Sequence, residues 1–97
     1  MKALYDSEAH AMYIDVVDPP CWAGGGADDD SYPVLHHYDE DDRLVGVEIL
    51  SADTLPEAQI VSALAGLELD VATVVASWRA ALAAPDREVV VGPALPV

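Results

Sequence analysis

The chain has 97 residues, of which 53% are hydrophobic, and its 18 acidic and 4 basic side chains give a formal net charge of −14. This length suffices for one domain, and the charge makes direct binding to nucleic acid or to an anionic membrane surface unfavourable. Cys21 is the single cysteine, which excludes an intrachain disulfide and therefore a disulfide-stapled secreted scaffold.

The sequence predicts a cytoplasmic protein. Asp6, Glu8 and His10 interrupt any apolar signal-peptide core in the first ten residues, and no stretch has the length of a membrane span. Phenylalanine is absent, so the large side chains are two tryptophans and four tyrosines. A hydrophobic core with so few large side chains buries little apolar area. We therefore expect a homodimer, because association buries additional apolar area.

The first half of the chain predicts two β-hairpins. Residues 2–5 and 11–17 are the strands of the first hairpin, in which Met12, Ile14 and Val16 alternate onto one face. Residues 31–38 and 43–50 are the strands of the second, joined by a four-residue acidic loop. The core face of the last strand is expected to carry Val45, Val47 and Ile49.

A Pro- and Gly-rich loop is predicted between the two hairpins. The prolines at 19 and 20 end the preceding strand, and a run of three glycines precedes Asp28, Asp29 and Asp30. Trp22 lies in this loop, and we expect its large side chain either to fold back onto the sheet or to contact a partner.

Helices are predicted after Leu50, where the hydrophobic period changes from 2 to about 3.6. Pro56 stands in the first turn of one helix. Asp70 caps a second, amphipathic helix that contains Trp78 and ends before Pro85. Residues 87–91 are predicted as a short strand that can join a sheet edge.

These elements predict an α+β fold, with a four-stranded antiparallel sheet followed by two helices and a short C-terminal strand. Residues 1–53 are predicted to form the antiparallel β unit. Residues 54–97 are predicted to be a helical extension that packs on the same domain.

Two segments carry a family resemblance: YDSEAHAMYI at residues 5–14 and YDEDDRLVGVEIL at residues 38–50. In order and spacing they resemble the small bacterial family of unknown function called DUF2283, over about residues 2–53. The resemblance implies a hairpin-rich fold and no established activity. The chain departs from the family pattern at His10, where an acid is usual, at Asp42, where glycine is usual, and in a longer loop at residues 18–31.

Members of that family resemble small proteins encoded beside toxins, which implies an antitoxin-like role. A basic toxin would be attracted electrostatically to an acidic chain. The acidic runs at residues 28–30 and 39–42 do not have the spacing of a calcium-binding EF-hand loop. The serines and Cys21 do not lie in any sequence signature of a catalytic nucleophile.

We therefore predict a non-catalytic, cofactor-free interaction protein that binds a basic protein partner in an antitoxin-like or regulatory role. The predicted contact residues are Trp22, Asp28, Asp29, Asp30, Asp39, Asp41 and Trp78. One alternative is an inhibitor that mimics nucleic acid and occupies a DNA- or RNA-binding protein. The other is a small metal-dependent enzyme using His10, His36 or His37 with Asp39, although His36 and His37, as neighbours on a strand, point to opposite faces.

Overall fold

The computed structural model describes residues 1–18, 27–93 and 95–96, and Cys21 and Trp22 lie outside these ranges. The described residues form an α+β fold in which a six-stranded antiparallel sheet packs against two helices. The strands are β1 (Lys2–Asp6), β2 (Ala11–Asp15), β3 (Val17–Asp18), β4 (Ala27–Asp28), β5 (Val34–Tyr38), β6 (Leu44–Leu50), β7 (Glu88–Val90) and β8 (Leu95–Pro96). The helices are α1 (Glu57–Leu64) and α2 (Val71–Ala83).

The sheet is larger than the four strands that the sequence predicted. Its strand order is β4-β5-β6-β2-β1-β7, and the short strands β3 and β8 pair separately, in parallel. β4 extends one edge, where Ala27 pairs with His37, and β7 extends the other, where Val89 pairs with Ala3. A two-residue strand such as β4 is too short to show a hydrophobic periodicity in the sequence. It is defined instead by its hydrogen bonds to the neighbouring strand.

The predicted alternation places the predicted core residues of both hairpins on one face of the sheet. The register joins the hairpins by pairing Met12 with Ile49 and Ile14 with Val47. The predicted core residues are all buried there: Met12, Ile14, Val16, Val45, Val47 and Ile49. This face is the core face of the protein.

Both helices cover the core face. Helix α2 contacts β1, β2, β7 and α1. It is capped, as predicted, by Asp70, whose side chain accepts a hydrogen bond from the backbone N–H of Ala72. Ile60 and Leu64 of α1 are fully buried in the same cluster. Among the described residues, neither helix has the length and apolar character needed to cross a membrane.

Trp78 joins α2 to the chain that leaves the sheet. Its side chain is only 8% exposed, and its indole Nε1–H donates to the backbone oxygen of Ala52 at 3.0 Å. Ala52 is itself fully buried. The bond therefore satisfies a buried carbonyl while the indole ring fills the space between the helix and the sheet.

We expect Trp78→Phe to lower the free energy of unfolding by about 1–3 kcal/mol, because it leaves the Ala52 carbonyl without its donor and shortens a core side chain. Urea unfolding followed by circular dichroism measures the change. The control is Val90→Ala, at a side chain that is 67% exposed, which should change stability by less than about 0.5 kcal/mol. Equal effects of the two substitutions would contradict this role of Trp78.

Candidate functional site

The face of the sheet opposite the helices is the candidate interaction surface. One cross-strand row runs across it, because the register pairs Leu35 with Glu48, Glu48 with Tyr13, Tyr13 with Leu4 and Leu4 with Glu88. Leu4 is 38% exposed and Tyr13 is 37% exposed, although both lie in the central part of the sheet. Large apolar side chains therefore remain accessible on a face that neither helix covers.

A second row on the same face carries most of the remaining charge. It runs from His37 through Gly46 and Asp15 to Lys2 and Val90. We define the open face as the side chains of both rows: Lys2, Leu4, Tyr13, Asp15, Leu35, His37, Glu48, Glu88 and Val90.

His37 and Glu48 form a hydrogen-bonded pair within the open face. The distance from His37 Nε2 to Glu48 Oε1 is 2.9 Å, and each side chain is 19% exposed. The imidazole N–H donates to the carboxylate, which accepts this bond. The apolar centre of the open face is thus bordered by polar groups already fixed in position.

The three histidines do not converge. As predicted, His36 and His37 point to opposite faces, and His36 is buried on the core face, where its Nε2 donates to the backbone oxygen of Ala63 at 3.0 Å. His10 lies in the β1–β2 turn, with its Nδ1 3.1 Å from Asp53 Oδ2. The arrangement therefore offers no shared histidine site to the predicted metal-dependent alternative.

Asp28, Asp29 and Asp30 are the only group of at least three potential metal-ligating side chains among the described residues. Their carboxylate oxygens lie within 4.8 Å of one another. Asp28 Oδ1 accepts a hydrogen bond from the backbone N–H of Asp30 at 2.9 Å, a side-chain turn that brings the acids together without an ion. These three predicted contact residues lie at the β4 edge of the sheet.

Asp39 is a turn-forming residue. Its buried carboxylate accepts hydrogen bonds from the backbone N–H groups of Asp41 and Arg43 and from Arg43 Nε, at 2.8, 3.0 and 2.8 Å. The bond from the Arg43 backbone is the main reason that the pKa of Asp39 lies below its ordinary value. We therefore exclude Asp39 from the partner surface.

Asp41 and Asp42 complete the same turn. The Asp41 side chain is 78% exposed and remains accessible as predicted, with Arg43 Nη2 3.4 Å away. Asp42 has a φ of 59°, in the left-handed region that glycine adopts most readily. Aspartate adopts this conformation more readily than most residues, so the hairpin keeps its turn without glycine.

The predicted contact residue Trp78 is also excluded from the surface, because its indole lies in the core and its N–H is already bonded. Leu4 takes its place as a candidate, and the sequence analysis did not single it out. The sequence did indicate the position of Tyr13. It alternates with the core residues Met12 and Ile14, so its side chain lies on the face opposite the core.

The acidic side chains do not form a single stripe. Asp53 lies beside the β1–β2 turn, Asp41 lies in the loop at the opposite end of the sheet, Asp29 lies beside one edge strand, and Glu48 lies on the open face. A mimic of nucleic acid needs phosphate-like charges along one surface, so this distribution gives no support to that alternative.

Comparisons of the chain with family models, with curated proteins and with solved structures found no match. The resemblance to DUF2283 therefore stays a prediction. The functional inference rests instead on the burial, charge and hydrogen bonding of the described residues.

Asp39→Asn is expected to lower the melting temperature at pH 7, since an amide cannot replace the charged acceptor of the Arg43 bonds. The folded pKa of Asp39 is depressed, so its contribution is present above the unfolded value, near 3.8, and is lost as the pH falls through the folded value. The difference in melting temperature between the native protein and the variant should therefore decrease below about pH 4.

Thermal unfolding followed at several pH values between neutrality and pH 2 measures this difference. Asp29→Asn removes a similar charge at an exposed position and serves as the control, with a much smaller effect expected at pH 7. If Asp39→Asn lowers the melting temperature by the same amount at every pH down to 2, the charged carboxylate of Asp39 does not stabilise the turn as proposed.

Proposed function

We propose that this protein is a non-catalytic interaction protein that binds a basic protein partner through the open face, in an antitoxin-like or regulatory role. The observation that carries the proposal is the exposure of Leu4 and Tyr13 at the centre of that face. Carboxylates of Asp15, Glu48 and Glu88 lie beside them. An apolar centre with a charged rim is the usual anatomy of a protein interface.

Charge favours a basic partner over other occupants of this face. The chain carries a net charge of −14, which attracts a basic protein over a long range and increases its association rate. A second copy carries the same net charge of −14, so electrostatic repulsion opposes self-association through this acidic face. The homodimer predicted from composition is therefore a separate proposal, tested by the mass in solution, and we expect it to use another surface.

A non-catalytic role is supported by the arrangement around His10. His10 and Asp53 form a pair of the kind that activates nucleophiles, but the hydroxyl in the same turn is engaged elsewhere. Ser7 Oγ donates to Asp86 Oδ2 at 2.6 Å, and the Ser7 backbone N–H donates to Asp86 Oδ1 at 3.0 Å. These bonds connect the first hairpin turn to the segment before β7, which is a structural role.

The double substitution Leu4→Thr and Tyr13→Thr should remove the apolar centre of the interface while keeping residues that favour β-strands. We expect the recovery of the partner to fall at least about tenfold, the effect of losing about 1.4 kcal/mol of binding free energy. Val61→Thr is the matched control, because Val61 is an apolar residue of α1 that is 40% exposed.

The first measurement is affinity purification of the tagged chain from its native host at low salt. The partner is then purified and titrated against the chain. The product of the neighbouring gene is the first candidate partner. The partner should be basic, and its binding should weaken as salt is added. The proposal fails if no bound protein is sensitive to the double substitution, or if the protein that is sensitive to it is acidic.

A further inference from the structure

A cavity opens at one end of the sheet, between the β5–β6 hairpin and the segment that joins α1 to α2. Its volume is about 430 Å³, which is within the range of small-molecule sites. Leu44 and Val45 of β6 line one side, and Leu67 lines the other. None of the described residues that line it belongs to the open face, so the cavity and the open face are separate surfaces.

The wall next to Leu67 contains Gly66, which has a φ of 85°. Glycine adopts this left-handed conformation without steric cost, and it ends the α1 segment with a turn. A Cβ added to Gly66 would have no atom within 4 Å, so the backbone here borders open space. Gly66 therefore leaves this border of the cavity without a side chain.

The polar groups of the cavity have a net negative charge. Among the described residues that line it, Arg43 is the single cation, and its guanidinium is engaged by the carboxylates of Asp39 and Asp41. Asp42 and Glu68 also line the cavity, and both residues are exposed. Within the described part of the chain, neither of their carboxylates forms an ion pair.

We propose that this cavity binds a small organic cation, an ammonium or guanidinium group on a short apolar chain. The apolar chain lies against Leu44, Val45 and Leu67, and the cationic group lies between the carboxylates of Asp42 and Glu68. An anionic ligand is disfavoured, because it would approach these two carboxylates and would have to compete with Asp39 and Asp41 for Arg43. The site goes beyond the proposed partner binding and does not depend on it.

Hexylammonium is the probe, and hexanoate and hexanol are the anionic and neutral probes of matched length. Titration followed by NMR should show saturable shifts of the methyl groups of Leu44 and Leu67 and of the Gly66 amide with hexylammonium. Hexanoate and hexanol should bind at least about tenfold more weakly, which corresponds to about 1.4 kcal/mol.

The double variant Asp42→Asn and Glu68→Gln should weaken hexylammonium binding at least about tenfold. Asparagine tolerates the left-handed conformation of residue 42, so this variant keeps the turn. Its control is the double variant Glu8→Gln and Asp29→Asn, which changes the net charge equally at exposed residues outside the cavity and should leave the affinity within about twofold.

Three results would overturn the proposal: no saturable shift at the cavity residues, equal binding of hexanoate or hexanol, or equal weakening by the control double variant. The last result would assign the binding to overall charge. Each of these results leaves the partner proposal intact, because that proposal depends on Leu4 and Tyr13.

Discussion

Two short helices can cover only one face of a six-stranded sheet, and this constraint determines how the apolar residues of the chain are used. Helices of 8 and 13 residues are about 12 and 20 Å long, whereas six strands span about 25 Å across the sheet. All the large, fully buried aliphatic side chains therefore lie between the helices and one face: Met12, Ile14, Ile49, Ile60 and Leu64. The apolar residues of the other face, such as Leu4 and Tyr13, are covered by neither helix and stay partly exposed.

The buried polar groups adapt to this one-sided core. His36 lies among aliphatic side chains and donates to the Ala63 carbonyl of α1, as Trp78 donates to that of Ala52. Ser77 of α2 is fully buried and donates to the Thr73 carbonyl of its own helix. No buried side-chain polar atom of the described residues lacks a partner, so the core gains specific contacts between layers without the cost of unpaired groups.

Sequence periodicity was sufficient to predict the core, and residues 87–91 were predicted as a strand, but it did not identify which strand that segment pairs with or the edge strand β4. The alternation of Met12 and Ile14 and the helical spacing after Asp70 report burial directly, because one face of each element is apolar. The place of β7 beside β1 is a tertiary contact that its three residues do not encode locally. The adjacent histidines indicated opposite faces, but only the register of His36 against Val47 identifies which face is the core.

The candidate site was harder to predict for a related reason. The chain has 18 acidic residues, and its composition does not distinguish their roles. Asp39 forms a turn, whereas Asp41, two residues later, is exposed. Leu4 is exposed because neither of the two described helices packs on its face of the sheet, and no local sequence pattern reports that arrangement. The proposed interaction surface therefore depends on the whole sheet and not on any one strand.

The pairing of β1 with β7 joins the first and last strands of the sheet along the chain. Asp86 strengthens this connection, because its backbone N–H donates to the Tyr5 oxygen and its carboxylate binds Ser7. A ribosome makes β1 first, so one side of this strand stays without hydrogen-bonding partners from β7 until the distant segment emerges. Both hairpins can form during synthesis, but the sheet acquires its final edge only when that segment folds back onto β1.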